Sequence, residues 1–152
     1  MTTDKFNEVD RAVVISKVES HFAVRLSRVG RQHKVLQDMF GRIYWVLGGY
    51  QEWHGVSRAM LDEATTHKAE DVLVIGKRRR TEIDIFYGPL QPLLSNSNVL
   101  SHTETGDYQF HISISGGVLS ITELPGVSLR TMGTVPAPDN VEAVLAQCRL
   151  KS

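Results

Sequence analysis

The sequence contains a single cysteine and no long apolar run. Cys148 alone excludes an internal disulfide and any zinc site built from several cysteines. No stretch approaches the roughly 20 consecutive apolar residues that a membrane-spanning helix needs. The polar N-terminus leads into no signal-peptide core. A cytoplasmic protein without a membrane contact is therefore predicted.

Signature motifs of the common enzyme classes are also missing. The sequence has no G-x-S-x-G, no phosphate-binding Gly-Lys loop, no dinucleotide fingerprint and no H-E-x-x-H. The six histidines show no metal-ligand spacing within one predicted element. A metal site assembled from distant elements stays open. The absent motifs favour a noncatalytic protein over an enzyme.

Net charge is zero, but the two signs are unevenly distributed. Residues 1–80 carry 14 Lys/Arg against 10 Asp/Glu, which is +4, and residues 81–152 carry 3 against 7, which is −4. Such an asymmetry can support docking of like subunits or of an anionic partner on one side. It does not indicate a generally basic nucleic-acid binder.

The chain is organised around a predicted central hairpin. Residues 72–75 are apolar at every position, which is typical of an interior strand covered on both faces. Residues 83–87 alternate between two faces, as a returning strand does. We expect the turn at residues 76–79, and a turn centred there places Asp71 opposite Asp84.

The remaining patterns predict helices and strands along the whole chain. A second hairpin turns at Gly116-Gly117, with Ile114 facing Leu119 and Ile112 facing Ile121. The other expected elements are a helix over 6–21, a strand over 22–29, one or two helical turns over 34–40, a strand over 41–50, a helix over 58–67, a short plug over 90–94, an edge strand over 127–132 and a helix from 139 onward.

These elements predict a single α+β domain over residues 1–152. Its sheet is expected to be mixed, mainly antiparallel and of about 5–7 strands, packed against N-terminal, middle and C-terminal helices. At this length the domain buries about two-thirds of the surface that the unfolded chain exposes. Cys148 falls on the apolar stripe of the last helix, which predicts a buried residue and not a nucleophile.

Acidic residues flank the central hairpin in the order Glu70-Asp71, hairpin, Glu82-x-Asp84. This order resembles the acidic half of the restriction-endonuclease-like metal site. The resemblance implies a metal-dependent nuclease in which Asp71, Glu82 and Asp84 are catalytic, and Asp71 and Asp84 hold Mg²⁺. The chain departs from that pattern because Phe86 stands where the family has a lysine.

A structural interpretation of the same acidic residues competes with the catalytic one, and we favour it. In it, Asp71 caps the preceding turn, and Glu82 and Asp84 form ion pairs with the basic residues 78–80. Ion pairs bring charges together without any chemistry.

Three groups of residues are candidates for binding. The aromatic group of Trp45, Tyr50, Trp53 and His54 forms either a ligand pocket or part of the core, and the core interpretation is favoured. The second group is the basic turn, and the third is the polar face of the second hairpin. The basic residues are Arg78, Arg79 and Arg80, and the polar face includes His111.

Two functions remain compatible with the sequence. The favoured one is a noncatalytic binding or assembly module without a cofactor, whose partner is another protein or a second copy of the chain. The alternative is the Mg²⁺-dependent nuclease, whose basic residues would contact the DNA backbone.

Overall fold

Two helices and ten strands make up the part of the chain that the computed structural model describes, which is residues 6, 8–29, 32–49, 53–56, 70–96, 100–102 and 108–137. The helices are α1 (Glu8–Phe22) and α2 (Gln91–Ser95). The strands are β1 (Ser27–Val29), β2 (Gln32–Gln37), β3 (Ile43–Gly49), β4 (Trp53–Val56), β5 (Val72–Arg78), β6 (Glu82–Pro89), β7 (Ser101–His102), β8 (Tyr108–Ser115), β9 (Val118–Ile121) and β10 (Leu124–Pro136).

All ten strands belong to one mixed sheet. Its order is β1-β2-β3-β5-β6-β10-β9-β8-β4, with β7 beside β8. Only the β3–β5 pair is parallel among the described pairs. The predicted α+β class with a mainly antiparallel mixed sheet is confirmed. The predicted 5–7 strands are too few, because short strands such as β4 and β7 carry no periodic signal of their own.

The sheet curls strongly, and the chain connectivity requires it to do so. β3 ends at Gly49 and β4 begins at Trp53, although β4 lies six strand positions from β3. In a flat sheet six positions span about 29 Å. The four Cα–Cα steps from Gly49 to Trp53 reach at most about 15 Å. The far edge of the sheet is therefore drawn back toward β3.

The curl separates two apolar clusters. The inner cluster draws on strands from both ends of the sheet and on two leucines, Leu90 just before α2 and Leu93 within it. Its strand residues include Trp45, Leu73, Phe86, Phe110, Ile121 and Leu129. The outer cluster lies beneath α1 and includes Val14, Val18, Tyr44, Val46, Val72, Val74, Ile83 and Ile85. Leu73 and Ile75 thus face one cluster while Val72 and Val74 face the other. This is why residues 72–75 are apolar at every position, and the prediction of an interior strand is confirmed.

A buried ion pair joins α1 to the sheet. Arg78 Nη1 donates to Asp10 Oδ1 over 2.5 Å, and each side chain is 1% exposed. On the next residue of the helix, Arg11 Nη1 donates to the carbonyl oxygen of Val46 in β3. Arg78 thus reaches from the sheet to α1, and Arg11 reaches from α1 to the sheet. They fix the position of α1 along β3 and β5.

We predict that Asp10→Asn destabilises the protein by about 3–5 kcal/mol, because it removes the buried negative charge that pairs with Arg78. Glu8→Gln is the matched control, since it also removes an acidic charge from the first turn of α1 but at a side chain that is 69% exposed. The control should cost less than about 1 kcal/mol. Urea unfolding measures both values. Equal losses would contradict the stabilising role of the buried pair.

Two N-terminal expectations need correction. The strand expected from residue 22 is shorter, because α1 continues through Phe22 and β1 covers only Ser27–Val29. The helical turns expected over 34–40 are wrong, because residues 32–37 form β2, paired with β1 and β3. Val35 and Leu36 are buried in opposite clusters. A short apolar run of this kind does not distinguish a helix from a strand, and pairing with β3 decides it.

The second hairpin is confirmed and the strand after it is not at an edge. Ile112 pairs with Ile121 and Ile114 with Leu119. β10, expected as an edge strand over 127–132, covers Leu124–Pro136 and lies between β9 and β6. Its register shifts twice, once near Gly133, whose φ of 128° suits glycine. These bulges let one strand pair with β9 in its first half and with β6 in its second.

The N-terminal helix and the plug near residues 90–94 are confirmed by α1 and α2. The expected helices over 58–67 and from 139 onward, with Cys148, lie outside the described residues. Within the described ranges, no helix combines the length and apolar character needed to cross a membrane.

Two paired glycines create a flat site on the sheet for Phe6, two residues before α1. Gly48 of β3 and Gly76 of β5 are direct neighbours in the parallel pair. The ring of Phe6 lies against both, so a Cβ on Gly48 would overlap the ring at its Cζ atom. Arg11 covers the ring, with its guanidinium 5.2 Å from the ring centre. The glycines thereby anchor the start of the helix.

We predict that Gly48→Ala displaces Phe6 and costs about 1–3 kcal/mol of unfolding free energy, since the new methyl group overlaps the ring. Gly126→Ala is the control, because a methyl group at that position would meet no atom within 4 Å. The control should change stability by less than about 0.5 kcal/mol. Thermal unfolding followed by circular dichroism tests both. If Gly48→Ala were as stable as the control, Phe6 would not lie on this site in solution.

Candidate functional site

The central hairpin separates the acidic residues that the nuclease alternative needs together. The observed register pairs Lys77 with Asp84, so β5 extends through Arg78 and the turn lies beyond it. The expectation that Asp71 faces Asp84 is therefore wrong. Asp71 lies six residues before Lys77, which places it roughly 20 Å along the strand from Asp84.

Asp71 has a structural role at the start of β5. Its side chain is buried, and its Oδ1 accepts the backbone N–H of Ile43 over 3.0 Å. The carboxylate thus ties the start of β3 to the start of β5.

The other two acidic residues form an ion-paired cluster at the opposite end of the hairpin. Arg79 Nη2 lies 3.0 Å from Glu82 Oε2, and Arg79 Nε lies 2.9 Å from Asp84 Oδ2. The Thr134 hydroxyl donates to Asp84 Oδ1 over 2.7 Å. Pairing of both acids with the basic turn is confirmed for Arg79. Across the described ranges, no three His, Cys, Asp or Glu side chains gather closely enough to hold a metal ion.

The remaining candidate residues do not meet at one place. Trp45 is 1% exposed in the inner cluster, so for this residue the core interpretation is confirmed. Arg78 is buried against Asp10, whereas Arg80 is exposed. The backbone of Trp53 and His54 lies in β4, and their side chains lie outside the described part of the structure.

His111, the candidate on the second hairpin, is held by Glu123. Its Nδ1 lies 2.7 Å from Glu123 Oε2, and its backbone N–H donates to Oε1 over 2.8 Å. This double contact is a structural link between β8 and the turn before β10.

A hydrogen-bonded turn between β2 and β3, residues 38–42, presents the most exposed large apolar side chains of the described structure. Asp38 organises it. One carboxylate oxygen, Oδ1, accepts the backbone N–H groups of Phe40 over 2.8 Å and Arg42 over 3.0 Å, and Oδ2 accepts the Tyr44 hydroxyl over 2.8 Å. Gly41 completes the turn at a φ of 88°, in the left-handed region that favours glycine.

The contacts of Asp38 are reflected in two pKa values. Burial by itself raises the pKa of Asp38, but the hydrogen bonds from Tyr44, Phe40 and Arg42 outweigh it and hold that pKa below its ordinary value. Burial, followed by the hydrogen bond to the carboxylate, raises the pKa of Tyr44 to about 12. In this network the Asp38 carboxylate is ionised, and the neutral Tyr44 phenol donates a hydrogen bond to it.

The 38–42 turn directs its apolar side chains outward. Phe40 is 79% exposed and Met39 is 60% exposed. Behind the turn, Tyr44 contacts the ring of Phe22 at a centroid distance of 5.6 Å, and Phe22 in turn contacts Tyr87 at 5.5 Å. Packing of the protein interior gives no reason for a turn that is held by buried hydrogen bonds to expose two apolar side chains.

No family model, curated protein or solved structure matches this chain. The site is therefore argued from its own geometry.

The sequence does contain a signal for the 38–42 turn. An aspartate followed three residues later by glycine is typical of a turn in which the side chain caps backbone N–H groups. The expectation of helical turns over 34–40 obscures it. What the sequence lacks is any sign that Tyr44 donates to the same carboxylate.

We predict that Asp38→Asn lowers the unfolding free energy by about 1–3 kcal/mol near neutral pH, because the charged acceptor is lost. Since the folded-state pKa of Asp38 is lowered, its contribution is complete above the ordinary carboxylate pKa and is lost as pH falls through the folded-state value. The difference between wild type and Asp38→Asn should therefore shrink below about pH 4. Urea unfolding across the acid range tests this, and a difference that does not change with pH would contradict it.

Proposed function

We propose that the chain is a noncatalytic binding module that docks on a protein partner through the 38–42 turn. One observation carries the proposal: a buried polar network, Asp38 with Tyr44, supports a turn whose two outward side chains are apolar. A turn that served only to connect β2 and β3 would need neither that network nor exposed Met39 and Phe40.

The chemistry of the two side chains supports protein docking. Phenylalanine buries a large apolar area, and methionine adapts to irregular surfaces through its flexible thioether chain. Because Asp38 fixes the turn before binding, less conformational entropy is lost when the complex forms. A small apolar anchor of this kind suits a pocket on a partner.

Positive charge next to the turn indicates which groups surround the pocket on the partner. Arg42 lies at the base of the turn, with its guanidinium 5.9 Å from the ring centre of Phe22. Arg25 is exposed and precedes β1, whose Ser27 pairs with Gln37 beside the turn. We infer that the partner has carboxylates around its apolar pocket. A second copy of the chain is one such partner, because residues 81–152 carry a net charge of −4.

The nuclease alternative receives no comparable support. Asp71 lies at one end of the β5–β6 pair, and Glu82 and Asp84 lie at the other. Arg79 already forms ion pairs with Glu82 and Asp84. A cytoplasmic location stays a prediction from the sequence.

Phe40→Ser should abolish partner binding and leave folding intact, since the side chain is mostly exposed. Light scattering on the purified protein tests for a second copy as the partner. A photo-crosslinking residue at position 40, used in the native cell, tests for a different protein. A dimer that Phe40→Ser dissociates, or an adduct that forms from position 40 and disappears with Met39→Ser, supports the proposal.

Val118 is the matched control position, because it is 41% exposed on β9, far from the turn in the order of the sheet. Val118→Ser should leave the dimer intact, and a crosslinker at 118 should give no adduct in common with position 40. Both serine variants should keep the unfolding free energy within about 0.5 kcal/mol of wild type. A monomer that gives no position-40 adduct would overturn the proposal.

A further inference from the structure

A cleft of about 390 Å³ lies beyond the C-terminal end of α1, over the strand order β5-β6-β10. Side chains from four elements or their flanks line it, and the polar and aromatic ones are Phe22, Glu70, Asp71, Tyr87, Ser128 and Arg130. Its volume falls at the small end of the usual range for ligand pockets, which is about 300–1,000 Å³. That size suits a small ligand.

Two aromatic rings line the cleft, those of Phe22 and Tyr87. Phe22 and Tyr87 meet edge to face, with centroids 5.5 Å apart and planes at 89°. Both side chains are only half-buried. The rings therefore offer an apolar contact surface to a bound molecule.

Opposite charges lie on the two sides of that surface. Arg130 of β10 pairs with Tyr87 in the sheet and holds its guanidinium 5.9 Å from the ring centre. Glu70 precedes β5, on the other side of β6. Both side chains are exposed, and neither forms an ion pair with another described side chain. Asp71 adds negative charge beside Glu70, although its Oδ1 is bound to the Ile43 N–H.

The spacing of the strands sets the length of ligand that could contact both charges. β5 and β10 flank β6, so they lie about 10 Å apart across the sheet. Val74 of β5 lies level with Tyr87 and Arg130, and Glu70 comes four residues before Val74, which displaces it by about 13 Å along the strand. The backbones of Glu70 and Arg130 are therefore about 16 Å apart. Because both side chains line the cleft between them, their charged groups lie closer together than their backbones do. An extended peptide of three residues spans about 10 Å. A molecule with an ammonium group at one end, a carboxylate at the other and an apolar side chain between them matches this arrangement.

We propose that the cleft binds a short zwitterionic peptide of about two or three residues. Its C-terminal carboxylate pairs with Arg130, whose planar guanidinium can donate two parallel hydrogen bonds. Its N-terminal ammonium pairs with Glu70, and its apolar side chain contacts Phe22 and Tyr87. This site is separate from the docking surface at Phe40 and does not depend on it.

Calorimetry with the tripeptide Ala-Phe-Ala tests the proposal on the full chain. Its N-acetylated form lacks the ammonium charge, and its C-terminal amide lacks the carboxylate. Each modification should weaken binding about tenfold or more, because a charge-assisted contact is lost. Arg130→Gln should weaken binding of the parent peptide similarly and make the affinity insensitive to amidation, whereas Glu70→Gln should make it insensitive to acetylation.

Arg80→Gln is the matched control, because Arg80 is an exposed cation at the opposite end of the β5–β6 pair. It should bind the parent peptide as wild type does. Phe40→Ser should do so too, which distinguishes failure of this site from failure of the docking proposal. Absence of binding up to about 10 mM peptide would overturn the inference. Equal affinity for the parent and both modified peptides would also overturn it.

Discussion

The buried contact between Asp10 and Arg78 is the constraint on which the arrangement of the layers depends. A guanidinium at the end of β5 cannot be withdrawn from water without a counter-charge, and α1 supplies it. Once the pair forms, the helix cannot slide along the sheet without separating two buried charges. The end of α1, and with it Phe22, is therefore placed beside Tyr87 and Tyr44. Both proposed sites border on that aromatic contact.

Short segments of the sequence predict secondary structure and strand pairing correctly where the turn residues and the apolar pattern indicate the same element. The Gly116-Gly117 turn with alternating apolar residues predicts the correct cross-strand partners, because a two-residue turn sets the register by itself. The α1 helix and the interior strand over 72–75 are predictable for the same reason. Val14 and Val18 of α1 are buried, although its buried face also includes Asp10 and Arg11 while Val9 is exposed. The four apolar residues 72–75 match a strand that is covered on both faces.

Long-range contacts explain most of the errors. The charge of Arg78 suggests an exposed turn, yet the residue belongs to β5 because Asp10, 68 residues earlier, neutralises it. Because Arg78 belongs to β5, the strand is longer than expected and Asp84 lies opposite Lys77. In β2, Val35-Leu36 fits either a helical or a strand period, and only pairing with β3 distinguishes them. The candidate site is hidden from the sequence by the same ambiguity, since residues 38–40 fall within the expected helical turns.

The short link from β3 to β4 has a mechanical consequence. Because only residues 50–52 separate the two strands, this link works as a tether that limits how far the curled sheet can unroll. The volume enclosed around Trp45 and Phe110 is accordingly determined by loop length as well as by side-chain size. Longer links at this point would allow a wider enclosure with the same strand order. Chains of this architecture could therefore vary the size of their interior by insertion, without substituting a single core residue.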